Sequence, residues 1–207
     1  MDVTLIFFLS LLISFLGVMP PGMLNMSAAR ISLKEGHNRS FIFSIGVCIV
    51  VGLQTYVATI FAKYLNQHPD VTSVLKRMAV VIFLLISFYF YFTGKNQTSP
   101  VSVNARIQSK QSRFFQGFFM SALNIFPIPF QAYVVTSLLS VGWLQLDPSS
   151  IGAYIAGAIM GSFIALYIYI LFFDNIKNNK ITSPKNMNYS IALITLGVAI
   201  FTLINLI

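Results

Sequence analysis

The side chains with the most chemistry to offer in this sequence are carboxamides and hydroxyls beside prolines. "VMPPGMLNMSA", residues 18–28, carries Pro21, Gly22, Asn25 and Ser27 inside one apolar run, and "NIFPIPFQAYV", residues 124–134, carries Asn124, Pro127, Pro129 and Gln131 inside another. Laid on each other without gaps, the two segments put Pro21 on Pro127 and Asn25 on Gln131. In each, a proline is followed four residues later by a carboxamide, a group that both donates and accepts hydrogen bonds. Proline has no backbone donor and its ring clashes with the carbonyl four residues earlier, so both segments predict a helix break. A helix that resumes after a break, here near Gly22 and near Pro129, opens with unpaired N–H groups and the positive end of its dipole. That end favours an anionic group such as a carboxylate. Ser121 near the second break, and Gln54 and Tyr56 on a neighbouring apolar run, complete the predicted substrate cage.

Broken helices survive at membrane depth only where protein or a water-filled cavity satisfies the freed backbone groups. The composition puts these segments at that depth: 57% of residues are hydrophobic, 9% are charged, and the mean hydropathy is +0.80, which excludes a soluble domain. Six apolar runs reach the length of about 20 residues that a span needs: residues 3–29, 41–62, 74–93, 114–141, 151–173 and 187–207. The first would be roughly 40 Å long as one helix, against an apolar bilayer core of about 30 Å, so a break also takes up surplus length.

The formal net charge is +8. The basic residues are scattered through connectors instead of forming a stripe with interleaved aromatics, which excludes nucleic acid as a partner and leaves the lipid bilayer. The first connector holds Arg30, Lys34 and Arg39, the third Lys95, Arg106, Lys110 and Arg113, and the fifth Lys177, Lys180 and Lys185; the opposite face has only Lys63, Lys76 and Arg77. The ten-charge face is therefore expected in the cytoplasm and both termini outside. The N-terminal run lacks a basic leader and a small-residue cleavage site, so the first span is expected to be retained.

The longest polar connector, "KNQTSPVSVNARIQSKQSR" over residues 95–113, divides a single transmembrane domain, 1–207, into repeats of about 1–94 and 114–207. Three spans per half reverse the direction of entry. The predicted fold is thus an all-α integral membrane protein of six transmembrane helices in two inverted three-helix repeats, the first helix of each broken by proline. Small residues at every fourth position, Ser44, Cys48 and Gly52 in one repeat and Ala153, Gly157, Gly161 and Ala165 in the other, predict close helix packing. Arg30, Glu35 and Gly36 fall at the cytoplasmic end, where a gate or vestibule would lie, although Arg30 could equally snorkel to water.

Cys48 is the only cysteine, so neither an internal disulfide nor a Cys-x-x-Cys redox pair is possible. His37 and His68 lie in connectors and all five acidic residues at or beyond span ends. No catalytic cluster, metal site or cofactor is expected, and the protein is not expected to be an enzyme. Proton coupling would fall to Glu35, to Asp174 or to the substrate itself. An uncharged cage favours a neutral small molecule bearing a carboxylate.

"PPGMLN", the basic connector "RISLKEGHNRSFIFSIG" and the second-half segment "GFFMSALNIFPIPF" resemble the LysE/RhtB family of amino-acid exporters, and the size and six-span layout match over the whole chain. The resemblance implies export of small amino acids or their derivatives through the bacterial cytoplasmic (inner) membrane, drive by the proton gradient, and a homodimer. It carries site and hinge roles onto Pro21, Gly22, Asn25, Gly36, Gly117, Asn124 and Pro127. The sequence departs from the family in three places. Pro20-Pro21-Gly22-Met23 stands for the usual Pro-Gly-Pro, no aspartate occurs in residues 41–62, and Phe126 replaces an asparagine. A non-transporting membrane scaffold, or an exporter of an ion or another small solute from a related branch, are the competing readings.

Overall fold

A computed structural model of the chain describes residues 2–20, 22–68, 108–124 and 126–172, with helical positions also recorded within 81–92 and at 196–197. The spans expected at 74–93 and 187–207, like Pro21 and Asp174, lie largely or wholly outside the described residues. The bounded helices are α1 (Val3–Val18), α2 (Met23–Glu35), α3 (His37–Gln67), α4 (Lys110–Leu123), α5 (Pro127–Ser140) and α6 (Pro148–Phe172). Two compact units divide the chain. One comprises residues 1–19, 23–67 and 106–176 and holds these six helices; the other comprises 20–22, 68–105 and 177–207.

Among the described residues, α3 and α6 are long and apolar enough to cross a membrane unbroken. The pairs α1–α2 and α4–α5 each pass the same test only when taken together, bent by 78° and 61°. The first break lies where "MPPGM" predicts it. The second lies at residues 124–126, ahead of the prolines, and α5 begins at Pro127 instead of near Pro129. The reason is that proline suits the first turn of a helix, where its missing N–H would have no partner and its fixed φ is already helical.

The remaining ends are capped by local chemistry. Ser109 Oγ accepts from Ser112 N at 3.1 Å at the start of α4, and Asp147 accepts from Ser150 N at 3.0 Å at the start of α6. These hydrogen bonds from Ser149 and Ser150 hold the Asp147 carboxyl well below the usual carboxylate range. Gly36, with φ +91°, ends α2 in a left-handed conformation that glycine adopts without penalty and reverses the chain into α3.

Two pairs of helices meet backbone to backbone. Gly157 on α6 lies over Phe7 O of α1, where an added Cβ would sit 2.3 Å away, and Gly161 repeats the contact one turn on, over Leu11 O at 2.2 Å. On the other side of the unit, Gly46 of α3 lies over Phe114 O of α4 at 2.3 Å, and Gly117 of α4 lies over Phe43 O at 2.1 Å. Gly46 and Gly157 are each the tenth residue of their helix, and each faces the carbonyl of the fifth residue of its partner.

The small stripe of α6 is therefore the face that receives α1, with Ala165 fully buried along it and Ala153 partly so. The stripe of α3 does a different job from its closest approach. Cys48 and Gly52 meet Ile159 of α6, and Ser44 folds its hydroxyl back onto Ser40 O at 3.0 Å. The tight contact with α4 uses Gly46, two residues off the stripe and hence on another face of the helix.

Two apolar clusters fill the unit. Ala28, Ile31, Phe43, Val47, Cys48, Val51, Leu166 and Ile170 join α2, α3 and α6. Ile6, Ala62, Val135, Leu138, Leu144 and Tyr154 join α1, α3, α5 and α6. Leu5, Phe8, Leu12 and Leu16 on α1, and Phe115, Phe119 and Leu123 on α4, are exposed. Outward apolar rows of this kind suit a lipid solvent.

Candidate functional site

Each break frees carbonyls at the end of a half-helix, and in an apolar medium each one left bare costs several kcal/mol. At the first break, buried Asn25 donates its Nδ2 to Val18 O, and the Tyr169 hydroxyl of α6 donates to Met19 O at 2.8 Å. The Tyr169 hydroxyl also lies beside the Asn25 amide. At the second break the donor comes from α3. Gln54 Nε2 donates to Ser121 O at 3.1 Å and to Asn124 O at 2.9 Å. Asn124 Oδ1 accepts from Phe126 N at 3.4 Å, and the Ser121 hydroxyl donates to Val47 O at 3.4 Å. A buried carboxamide thus seals each break.

The breaks lie close to one another. Gly17, one residue before the end of α1, abuts the Phe130 ring in the first turn of α5, where an added Cβ would sit 3.0 Å from the ring. Their helix starts differ, however, from the symmetric pair of donor-rich ends that the sequence predicts. α2 opens with Met23, Leu24 and Asn25, each carrying an N–H, whereas α5 opens with Pro127, Ile128 and Pro129. Only Ile128 brings a backbone donor there.

Gln131 belongs to a separate buried network. Its Nε2 donates to Ser14 Oγ at 3.0 Å, its Oε1 accepts from the Tyr154 hydroxyl at 2.6 Å, and Ser10 Oγ donates to Tyr154 O at 2.6 Å. This ties α5 to α1 and α6, with both ends of the amide engaged by protein. Gly22 and Ser27 are half-buried and Pro129 is exposed. Tyr56 is 51% exposed; two residues from Gln54 on α3, it points to the far side of the helix and does not join the break.

At the end of the unit where α2 meets α3 and α4 begins, Glu35 and Arg113 form a forked ion pair, with Arg113 Nε at 2.9 Å from Glu35 Oε2. Gln108 N approaches Glu35 Oε1 at 3.4 Å, Arg39 Nη1 donates to Glu35 O at 3.1 Å, and Arg39 Nε donates to Gln108 O at 2.9 Å. Arg113 also donates to Gln116. The Glu35 side chain is only 3% exposed, because the guanidinium covers it. Arg113 holds the Glu35 carboxyl below its ordinary value, so it stays ionised at neutral pH, a poor state for picking up a proton. Arg30 is exposed on α2, outside the hydrogen bonds of this cluster. Among the described residues, no three His, Cys, Asp or Glu side chains gather as a metal site.

Sequence reasoning did not single out Tyr154, Tyr169, Ser14 or Gly46, and it counted Arg113 only as a topological charge. Two of these carried a signal: a tyrosine facing inward from an apolar helix needs a polar partner for its hydroxyl.

Apolar helices broken within their spans and sealed there by buried side-chain amides define a polytopic membrane protein. The chain belongs to the LysE type translocator family, whose model matches residues 15–206. It is therefore a multi-pass membrane transporter and not an enzyme, and membership implies export of amino acids or similar small solutes. Comparison with curated proteins and with solved structures gives no match.

Proposed function

We propose that this protein is a secondary transporter that exports amino acids or related small carboxylates across the bacterial cytoplasmic membrane by alternating access. The observation that carries the reading is the pair of neighbouring breaks, each sealed by a buried carboxamide, Asn25 in one and Gln54 in the other. The matched glycine contacts of α3 with α4 and of α6 with α1 support an inverted repeat, in which the leading helix of each half packs on the long helix of the other. Transporters of that build hold their substrates where the repeats meet, at discontinuous helices. In this reading the single domain spans 1–207, both termini face outward, and Asn25, Ser27, Gln54, Ser121, Asn124 and Pro127 surround the solute. The polar groups at the breaks are uncharged, which fits a neutral solute, and two copies of the chain form the working unit.

The test is efflux from cells loaded with dipeptides, comparing a panel of released amino acids for the wild type, Asn25→Ala and Gln54→Ala at matched membrane abundance. Export of at least one amino acid by the wild type, reduced in both variants, supports the reading. Undiminished export in both removes the breaks from the site, and no export of any amino acid favours a scaffold.

A further inference from the structure

The six bounded helices are not held equally. Among the described residues, the contacts in which a glycine lets backbone meet backbone join α1 to α6 and α3 to α4. The two half-helices that follow the breaks, α2 and α5, take part in none of them. Each instead runs from a break to a left-handed glycine whose Cβ would meet nothing within 4 Å: Gly36, directly after α2, and Gly142, two residues after α5. Each is also tied by polar side chains to the half-helix that precedes the other break, α2 to α4 through Glu35 and Arg113 and α5 to α1 through Gln131 and Ser14. On its other sides α2 packs against α3 and α6, where Ser40 Oγ donates to Ala28 O at 2.6 Å and Ser32 Oγ to Ile170 O at 3.3 Å. Side-chain packing of this kind allows helices to slide on one another.

The two ties differ in what replaces them when they part. Gln131 meets Ser14 and Tyr154 in a buried, uncharged network, and separation there would leave polar groups bare in an apolar setting. The Glu35 carboxylate is hidden by the Arg113 guanidinium, but Lys34 and Asn38 close by in the chain are exposed. Water can therefore take the place of each partner, and an ion pair at such a rim opens and closes without stranding a buried charge. We infer that α2 is the moving segment of a cytoplasmic gate, hinged at the first break and at Gly36, and that the Glu35–Arg113 pair is its latch, shut in this structure. The inference rests on the exporter reading and adds to it the element that opens the route from the cytoplasm.

The test uses purified full-length protein carrying Glu35→Cys and Arg113→Cys together, in proteoliposomes, and follows counterflow of a panel of labelled neutral amino acids. A thiol-cleavable bifunctional methanethiosulfonate of the reach of the two side chains joins the cysteines, and lost reactivity toward a maleimide reports the link; Cys48 is buried. Linked protein is expected to fall to the transport of empty liposomes and to recover in dithiothreitol, whereas capping each cysteine with methyl methanethiosulfonate should not reproduce the loss. Linked protein that transports at the unlinked rate overturns the latch, because a contact that stays closed throughout the cycle tolerates a tether. A second measurement needs neither the link nor transport. Ser27→Cys, half-buried on α2, is labelled with an impermeant maleimide in inside-out membrane vesicles. Labelling is expected to rise several-fold when Arg113→Gln breaks the pair and to fall back when Glu35→Arg and Arg113→Glu exchange the charges. Equal labelling across the series overturns the latch while the exporter reading stands. Transport of no amino acid by the unsubstituted protein overturns the exporter reading instead, and the labelling then still decides whether α2 moves.

Discussion

Asn25 Nδ2 donates to Val18 O and Gln54 Nε2 donates to Ser121 O and Asn124 O, so the two amides satisfy equivalent carbonyls at the ends of two different half-helices. Asn25 reaches its carbonyl from the helix that follows the break, and Gln54 reaches its pair from α3. A break in an apolar helix is thus held as a defined shape instead of a loose kink.

Removal of the first seal exposes its worth. Asn25→Ala leaves Val18 O without this donor in a buried setting, and the expected loss of stability is about 1–3 kcal/mol. Thermal unfolding of the detergent-purified variant measures it. An unchanged midpoint would mean that Val18 O finds another donor.

Glycine contacts predict a contrast between positions. Gly117→Ala places a methyl group 2.1 Å from Phe43 O and Gly157→Ala one 2.3 Å from Phe7 O, whereas Gly152→Ala meets nothing within 4 Å. The first two are expected to destabilise by about 1–3 kcal/mol or more and to lower the monodisperse fraction in size-exclusion chromatography. Gly152→Ala is expected to match the wild type, and equal behaviour of all three would show that α1–α6 and α3–α4 can move apart at little cost.

Glu35 sets a pH dependence of known sign. Its folded carboxyl titrates below the ordinary value of 4.5, so the contribution of the Arg113 pair is present above that value and is lost as pH falls through the lower folded value. Stability should be flat in this contribution from about pH 6 upward and decline in acid, and Glu35→Gln should remove the acid decline. Because the carboxylate stays ionised near neutrality, any pH dependence of export between about pH 6 and 8 should survive Glu35→Gln. Loss of that dependence in the variant would instead identify Glu35 as the proton carrier.

Sidedness follows from exposed serines on opposite ends of the unit. Cys48 is buried, so the wild type should resist a membrane-impermeant maleimide. Ser149→Cys should be labelled in intact cells and Ser109→Cys only after permeabilisation; the reverse pattern would turn the positive-inside reading over.

Both broken spans were legible because proline acts locally: the lost donor and the ring clash follow from one residue and its neighbours. The place of the second break was misjudged by two or three residues, although the preference of proline for the first helical position was available to correct it. Partnerships across the sequence were not legible. Gln54 and its carbonyls are 67 and 70 residues apart and Glu35 and Arg113 are 78 apart, and no spacing rule joins them. Gln131 illustrates the limit. Its alignment with Asn25 predicted a matching role, but its amide meets Ser14 and Tyr154 because α1 and α6 happen to flank it. The α6 stripe was readable from its four-residue repeat, while Gly46 stood alone and gave no period to detect.

The exchange of partners between α1 and α6 also bears on how the chain enters a membrane. α1 leaves the ribosome some 150 residues ahead of the glycines that receive it, Gly157 and Gly161. Until they arrive, Ser10 and Ser14 face lipid or passing helices without Tyr154 or Gln131 to meet them. Assembly of this unit is therefore a late event, and α1 must be held in the bilayer by its outward leucines and phenylalanines while it waits.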